Sequence, residues 1–276
     1  MKTILVLTDL SKKAENAAVY ALKIAEKTHA NIILFHSFEK FQAAGIPESD
    51  LWGYEDYEMI KNESLKELKK LEDYLVTRHE PGAFEPEISL LNELGFDLGI
   101  GVSQIVKNKN IDLVIMGTKG DDTVSHLFSG SEANGVLEQV ACPVLFIPET
   151  GSFDPFKNIV FANDLKKDYN EAISFLVDLA RIDDSHIIIT HFGKIENNTF
   201  DCLNFIKYAV KYTNVTCNLF PLKNVGGQLR EFSVSAQADL VAMIHHKEDR
   251  LENFISGSKC KNMLNDNHIP LLILQG

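Results

Sequence analysis

The chain carries a second copy of itself. Asp112-Leu113-Val114-Ile115-Met116 aligns with Asp239-Leu240-Val241-Ala242-Met243 at an offset of 127 residues. The same offset places Ser129-Gly130-Ser131 on Ser256-Gly257-Ser258 and Pro143-Val144-Leu145 on Pro270-Leu271-Leu272. The openings also agree, at a different offset: Ile4-Leu5-Val6-Leu7-Thr8-Asp9-Leu10 resembles Ile159-Val160-Phe161-Ala162-Asn163-Asp164-Leu165. Two offsets mean that the second copy is shorter somewhere between its first and fourth strands. A length of 276 residues suits two ordinary domains, so the sequence predicts homologous units at about 1–150 and 151–276. The Pro-, Gly- and Ser-bearing stretch from Pro148 to Pro155 would be an exposed junction between them.

Each copy alternates short β-like runs with helical patterns. In the first, strands are expected at 3–8, 31–37, 86–91, 112–116 and 143–147, and helices at 11–28, 56–79, 97–108 and 130–140. The helix at 11–28 places Ala17, Ala18, Ala21, Leu22 and Ala25 on one stripe, with Ser11 as N-cap. That at 56–79 turns Leu65, Leu68, Leu71 and Leu75 inward and a charged face to water. In the second copy, strands are expected near 158–163, 185–191, 215–220, 239–244 and 270–274, with a shorter second helix near 197–212. The alternation implies an α/β fold with parallel sheets and helices on both faces. The stretch 38–55 shows no period and is expected to be a long loop. The last strands, Val144-Leu145-Phe146-Ile147 and Leu271-Leu272-Ile273-Leu274, are wholly apolar. Left as open edges they would invite aggregation, so mutual pairing is expected.

The formal net charge of −12 argues against non-specific binding of nucleic acid or anionic membranes. The four cysteines, Cys142, Cys202, Cys217 and Cys260, show no CxxC spacing and fit a reducing, cytoplasmic setting. No run of about 18 apolar residues suggests a membrane span. The start, Met1-Lys2-Thr3-Ile4, lacks signal-peptide character.

Chemistry concentrates at one corner. The apolar run Leu113–Met116 ends in Gly117-Thr118-Lys119-Gly120, and nine residues later Gly130-Ser131 opens a helix. Glycines let backbone approach a ligand closely. A helix start offers unpaired N–H groups and the positive end of a dipole. Strand, glycine loop and helix start in that order make a phosphate-binding corner.

The spacing G-x2-G-x9-G-S, the Asp9 that follows the first strand, and Cys142-Pro143-Val144-Leu145 before the last strand resemble the universal stress protein family in its tandem two-domain form. The resemblance implies two five-stranded parallel-sheet domains of the Rossmann-like, adenine nucleotide α-hydrolase-like type, related by a pseudo-twofold axis and paired through their last strands. It implies binding of ATP, or of AMP or ADP, with Mg2+ as an optional companion. Thr8 and Asp9 would approach ribose and adenine, and Ser37 would offer a backbone contact to adenine. Gly117, Gly120 and Gly130 would line the phosphates, with Met116 before them and Ser131 and Glu132 at the helix start. Lys119 could reach phosphate as a point charge or simply be solvated. Asp9 equally fits a turn or cap residue, and Ser131 a helix cap.

The second copy departs from this pattern. Ile244 and Lys247 stand where the first has Gly117 and Gly120, and His245 and His246 replace Thr118 and Lys119. Only Gly257-Ser258 remains, so this half is not expected to bind ATP in the same way. Adjacent histidines at a strand end point to opposite sides and lack further ligands, which disfavours a metal site. His36 and His191, at the ends of the second strands, are expected to be structural and bonded to nearby backbone. His126 is expected in an exposed loop. Gly99-Ile100-Gly101 lacks the third glycine of a dinucleotide fingerprint.

No Walker A run, nucleophile elbow or carboxylate pair flanks the glycine corner. The sequence therefore favours a stress-response protein that regulates by binding, with ATP ordering residues 118–130 for a protein partner. A slow ATPase or adenylyl-transfer enzyme of the same superfold is the catalytic alternative. A scaffold or dimerisation module with a vestigial site is the third, and the sequence leaves room for a homodimer.

Overall fold

A computed structural model describes residues 1–11, 14–38, 54–94, 97–117, 131–149, 151–163, 170–193, 204, 206–207, 210–245 and 269–276. The apolar runs form strands β1 (Thr3–Leu7), β2 (Asn31–Phe38), β3 (Ile88–Leu94), β4 (Leu113–Gly117), β5 (Val144–Ile147), β6 (Asn158–Ala162), β7 (His186–Phe192), β8 (Val215–Phe220), β9 (Leu240–His245) and β10 (Leu271–Gln275). The described helices are α1 (Ala14–Thr28), α2 (Tyr54–Arg78), α3 (Leu98–Lys109), α4 (Ser131–Gln139), α5 (Asn170–Asp183) and α6 (Val225–Ser235).

The strands share one sheet, in the order β3-β2-β1-β4-β5-β10-β9-β6-β7-β8. Neighbours are parallel except β5 and β10, which pair antiparallel through Leu271↔Phe146, Leu272↔Leu145 and Ile273↔Val144. Outwards from that pair, both sides run through the same strand order. β1 pairs β2 on one side and β4 on the other, and β6 stands likewise between β7 and β9. The order therefore reverses between β1 and β4, and again between β6 and β9. In open α/β sheets, such reversals leave a crevice at the carboxyl ends of the strands.

Alternation along each strand feeds two apolar layers. Ile4 and Val6 face one with Ala17, Ala21 and Leu68. Leu5 and Leu7 face the other with Val102, Val136 and Leu137. The alanine stripe lets α1 lie close to the sheet. Leu68, Leu71 and Leu75 are buried as the period predicts, and Leu65 packs against the same layer. α3 begins where the Asp97 carboxylate accepts the Ile100 N–H (2.9 Å) and stops at left-handed Asn110 (φ 51°).

Several boundaries move. β3 covers 88–94 rather than 86–91, because its polar end stays paired to β2 through His36↔Asn92 and Ser37↔Glu93. α1 begins at Ala14, whose N–H donates to Ser11, the expected cap. α2 starts at Tyr54, inside the stretch expected as loop; the rest of that stretch from 39, and most of the 197–212 helix, lie outside the described residues. The shortening of the second copy falls between its second and third strands. β1 to β6 and β2 to β7 are offset by 155 residues (3 to 158, 31 to 186), but β3 to β8 by 127 (88 to 215).

The junction after β5 is largely exposed yet tied down. Asn16 Nδ2 donates to the Pro148 carbonyl (2.8 Å) and Tyr20 Oη to that of Ser152 (3.0 Å). Phe153 packs edge-on against Tyr20, and Lys27 pairs with Asp183 across the two copies (2.6 Å).

Candidate functional site

β1 leaves the sheet at Thr8, and the polar groups of Thr8 are engaged by its neighbours. The Thr8 N–H donates to the Phe35 carbonyl (3.0 Å). The Thr8 carbonyl lies 2.8 Å from Nδ1 of His36. A carbonyl can only accept, so Nδ1 carries the proton. Thr8 Oγ1 accepts the Leu10 N–H and Asp9 Oδ1 the Ser11 N–H, each at 3.0 Å. Leu10, at φ 61°, completes a tight turn into α1. Thr8 is buried and Asp9 exposed. Asp9 is thus a turn residue, while its second carboxylate oxygen has no partner among the described residues.

Across the strand-order reversal, Leu7 is level with Met116, and Met116 with Phe146. Gly117 ends β4 one step further on, level with Ile147 and beside Thr8. On the other flank Leu7 is level with Phe35, two residues before half-buried Ser37, which stays paired to Glu93 of β3. The fold brings Thr8, Asp9, Ser37, Met116 and Gly117 to one edge. Lys119, Gly120 and Gly130 lie outside the described residues. Ser131 and Glu132 open α4, but their side chains lie outside them too. α4 runs back towards the start of β5, so its N-terminus is the end nearer this edge. Its position is fixed by close contact with α3 at Gly99 and Gly135, a role of Gly99 that local motif reading missed.

The second copy repeats the framework and changes the lining. Asn163 donates its N–H to the Thr190 carbonyl (3.1 Å), and its own carbonyl lies 3.2 Å from Nδ1 of His191. Both strand-end histidines are bonded to backbone as the sequence predicts. Met243 and Ile244 occupy the corner where β4 presents Met116 and Gly117, and buried His245 follows them where the first copy has Thr118. Asp164, His246, Lys247 and Gly257-Ser258, like His126, lie outside the described residues. Among the described residues no cluster of three or more His, Cys, Asp or Glu could hold a metal ion, and no helix is long and apolar enough to cross a membrane.

A groove of about 510 Å³ lies at the opposite edge of the sheet, lined by Lys107, Asn110, Asp112, Gln139 and Cys142 among others. None of Thr8, Asp9, Ser37, Met116 and Gly117, the predicted site residues that are described, lines it. Burial pushes the Cys142 thiol up to about 12, with the Asp112 charge adding to the effect, which keeps it in the thiol form at neutral pH.

A family model described as the universal stress protein family matches residues 1–148. The chain belongs to the universal stress protein family. It shares 27% identity over 149 residues with universal stress protein MJ0531 of Methanocaldococcus jannaschii, covering 53% of this chain and 81% of that one. It shares 27% over 146 residues with the Thermus aquaticus universal stress protein encoded in the QAH/OAS sulfhydrylase 3′ region, covering 53% and 98%. A universal stress protein structure from Archaeoglobus fulgidus superposes with a TM-score of 0.72 at 14% identity, over 99% of this chain and 96% of that one. At that identity the last likeness concerns the fold alone.

Proposed function

We propose that this universal stress protein binds one adenine nucleotide, ATP or its di- or monophosphate, at the carboxyl edge of its first half and acts in stress response by binding rather than turnover. The observation that carries the reading is the meeting of the β1, β2 and β4 ends at the strand-order reversal, with Thr8 and Asp9 on one side and Gly117 on the other. Asp9 keeps one carboxylate oxygen for ribose hydroxyls. The backbone around Gly117, Gly120 and Gly130 and the start of α4 receive the phosphates, where amides and dipole favour anions. Any Mg2+ arrives with the nucleotide.

The two copies are two five-stranded domains, 1–150 and 151–276, related by a pseudo-twofold axis at β5 and β10. The second, with Ile244 and His245 at its corner, is a structural partner without an equivalent site. The test is calorimetric titration with ATP, on the wild-type chain and on Gly130→Val. One site per chain, lost in the variant with unchanged thermal stability, supports the reading. Two equivalent sites, or none, overturn it.

A further inference from the structure

The two halves share one device that their glycine corners do not. At the end of the second strand of each, a histidine Nδ1 reaches the carbonyl of the residue that leaves the first strand: His36 to Thr8 at 2.8 Å, His191 to Asn163 at 3.2 Å. In each case the same residue's N–H is already bonded across the same strand pair, to Phe35 in one half and Thr190 in the other. The ladder would otherwise stop with that N–H, leaving the carbonyl free to swing. The imidazole is the clamp that fixes the peptide at which the chain turns.

In the first half the clamped peptide joins Thr8 to Asp9. The turn behind it is short and held by its own side chains, with Leu10 left-handed and the Thr8 and Asp9 side chains each holding an N–H two residues on. Such a turn moves as a unit between β1 and α1, so the direction of the exposed Asp9 carboxylate depends on how firmly its strand end is held. We propose that His36 is a positioning residue: its Nδ1–H, clamping the Thr8 carbonyl, aims Asp9 at the ribose of the bound nucleotide, whereas its twin His191 serves only the fold. This rests on the nucleotide reading above.

The experiment uses the whole chain, with ATP and 2′,3′-dideoxy-ATP as probes that differ only in the ribose hydroxyls. His36→Leu should weaken ATP by about tenfold, the worth of one hydrogen bond, and leave the dideoxy analogue nearly unchanged. His36→Asn, whose amide can donate to the same carbonyl, should restore much of the preference. His191→Leu should lower the melting temperature and leave both affinities alone. Equal weakening of both probes by His36→Leu, or the same loss in His191→Leu, overturns the proposal. If the wild-type chain binds neither probe, the nucleotide reading itself has failed. Should His36→Leu not fold, the ring of the wild-type protein decides: long-range 1H–15N spectra should show the neutral His36 protonated at Nδ1, and a proton on Nε2 instead refutes the clamp.

Discussion

Gly99 of α3 sits so close to Gly135 of α4 that a Cβ added at residue 99 would lie 2.3 Å from the Gly135 carbonyl oxygen. The contact is asymmetric. A Cβ at residue 135 would meet Gly99 at an ordinary 3.8 Å. Gly99→Ala should therefore cost about 1–3 kcal/mol by forcing the helices apart. Gly135→Ala should be neutral, or stabilising by up to about 1 kcal/mol through helix propensity. Urea denaturation of the two variants checks this, and equal effects would refute it. Because α4 opens at the corner proposed for the nucleotide, Gly99→Ala should on that proposal also weaken ATP, with Gly101→Ala, whose Cβ meets nothing, as control.

Asp112 and Asp239 are structural twins. Asp112 Oδ2 accepts the N–H groups of Lys2 (2.6 Å) and Thr3 (3.0 Å). Asp239 Oδ2 accepts those of Lys157 (2.9 Å) and Asn158 (2.8 Å). Each clasps the start of the first strand in its half. Asp112→Ala and Asp239→Ala should each cost about 1–2 kcal/mol. The strands they precede, β4 and β9, are three spacings apart, roughly 14 Å, so the double variant should lose the sum. Chemical denaturation of the single and double variants measures this.

Glu26 supplies the acid limb of stability. Burial alone would raise its carboxyl pKa, but bonds from Lys23, the Glu80 N–H and His79 outweigh that and hold it below the ordinary 4.5. A folded-state value below the unfolded one gives stabilisation that is complete above the unfolded value and lost as pH falls through the folded one. Unfolding free energy should therefore drop as pH is lowered below about 4.5. Glu26→Gln should cost about 1–3 kcal/mol at pH 7 and flatten that drop. Denaturant titrations at pH 7 and pH 4 are the measurement; an unchanged acid slope in the variant counts against it.

Cys142 should resist alkylation. With its thiol held near 12 by burial, only about one molecule in ten thousand carries the thiolate at pH 8. Iodoacetamide on the native chain should leave the Cys142 peptide unmodified by mass spectrometry and label it fully in guanidinium. Rapid native labelling would mean that this strand start opens readily.

Much of the fold was legible because it rests on local periodicity and on duplication. The strand ends moved by at most three residues, with 215–220 found as expected, and the buried stripes of α1 and α2 follow their spacing. β3 was misjudged because its end carries Asn92 and Glu93, polar residues that only pairing with β2 makes into strand. At the site, Gly117 was named from the order of strand, glycine loop and helix start, and Thr8, Asp9, Ser37 and Met116 with the help of the family resemblance; the fold brings them to one edge. The Gly99–Gly135 contact was not legible, since a lone helical glycine carries no signal of what faces it.

The sequence by itself determined the duplicated α/β plan, the candidate edge and the loss of the glycines in the second copy, because alternation and repeat are properties of neighbours along a chain. Only the tertiary structure decided which groups meet across it. The ten strands became one sheet because two apolar last strands bury each other antiparallel. His36 became a clamp because register set its ring against the Thr8 carbonyl, and a register between strands 28 residues apart is fixed by packing, not by either strand alone.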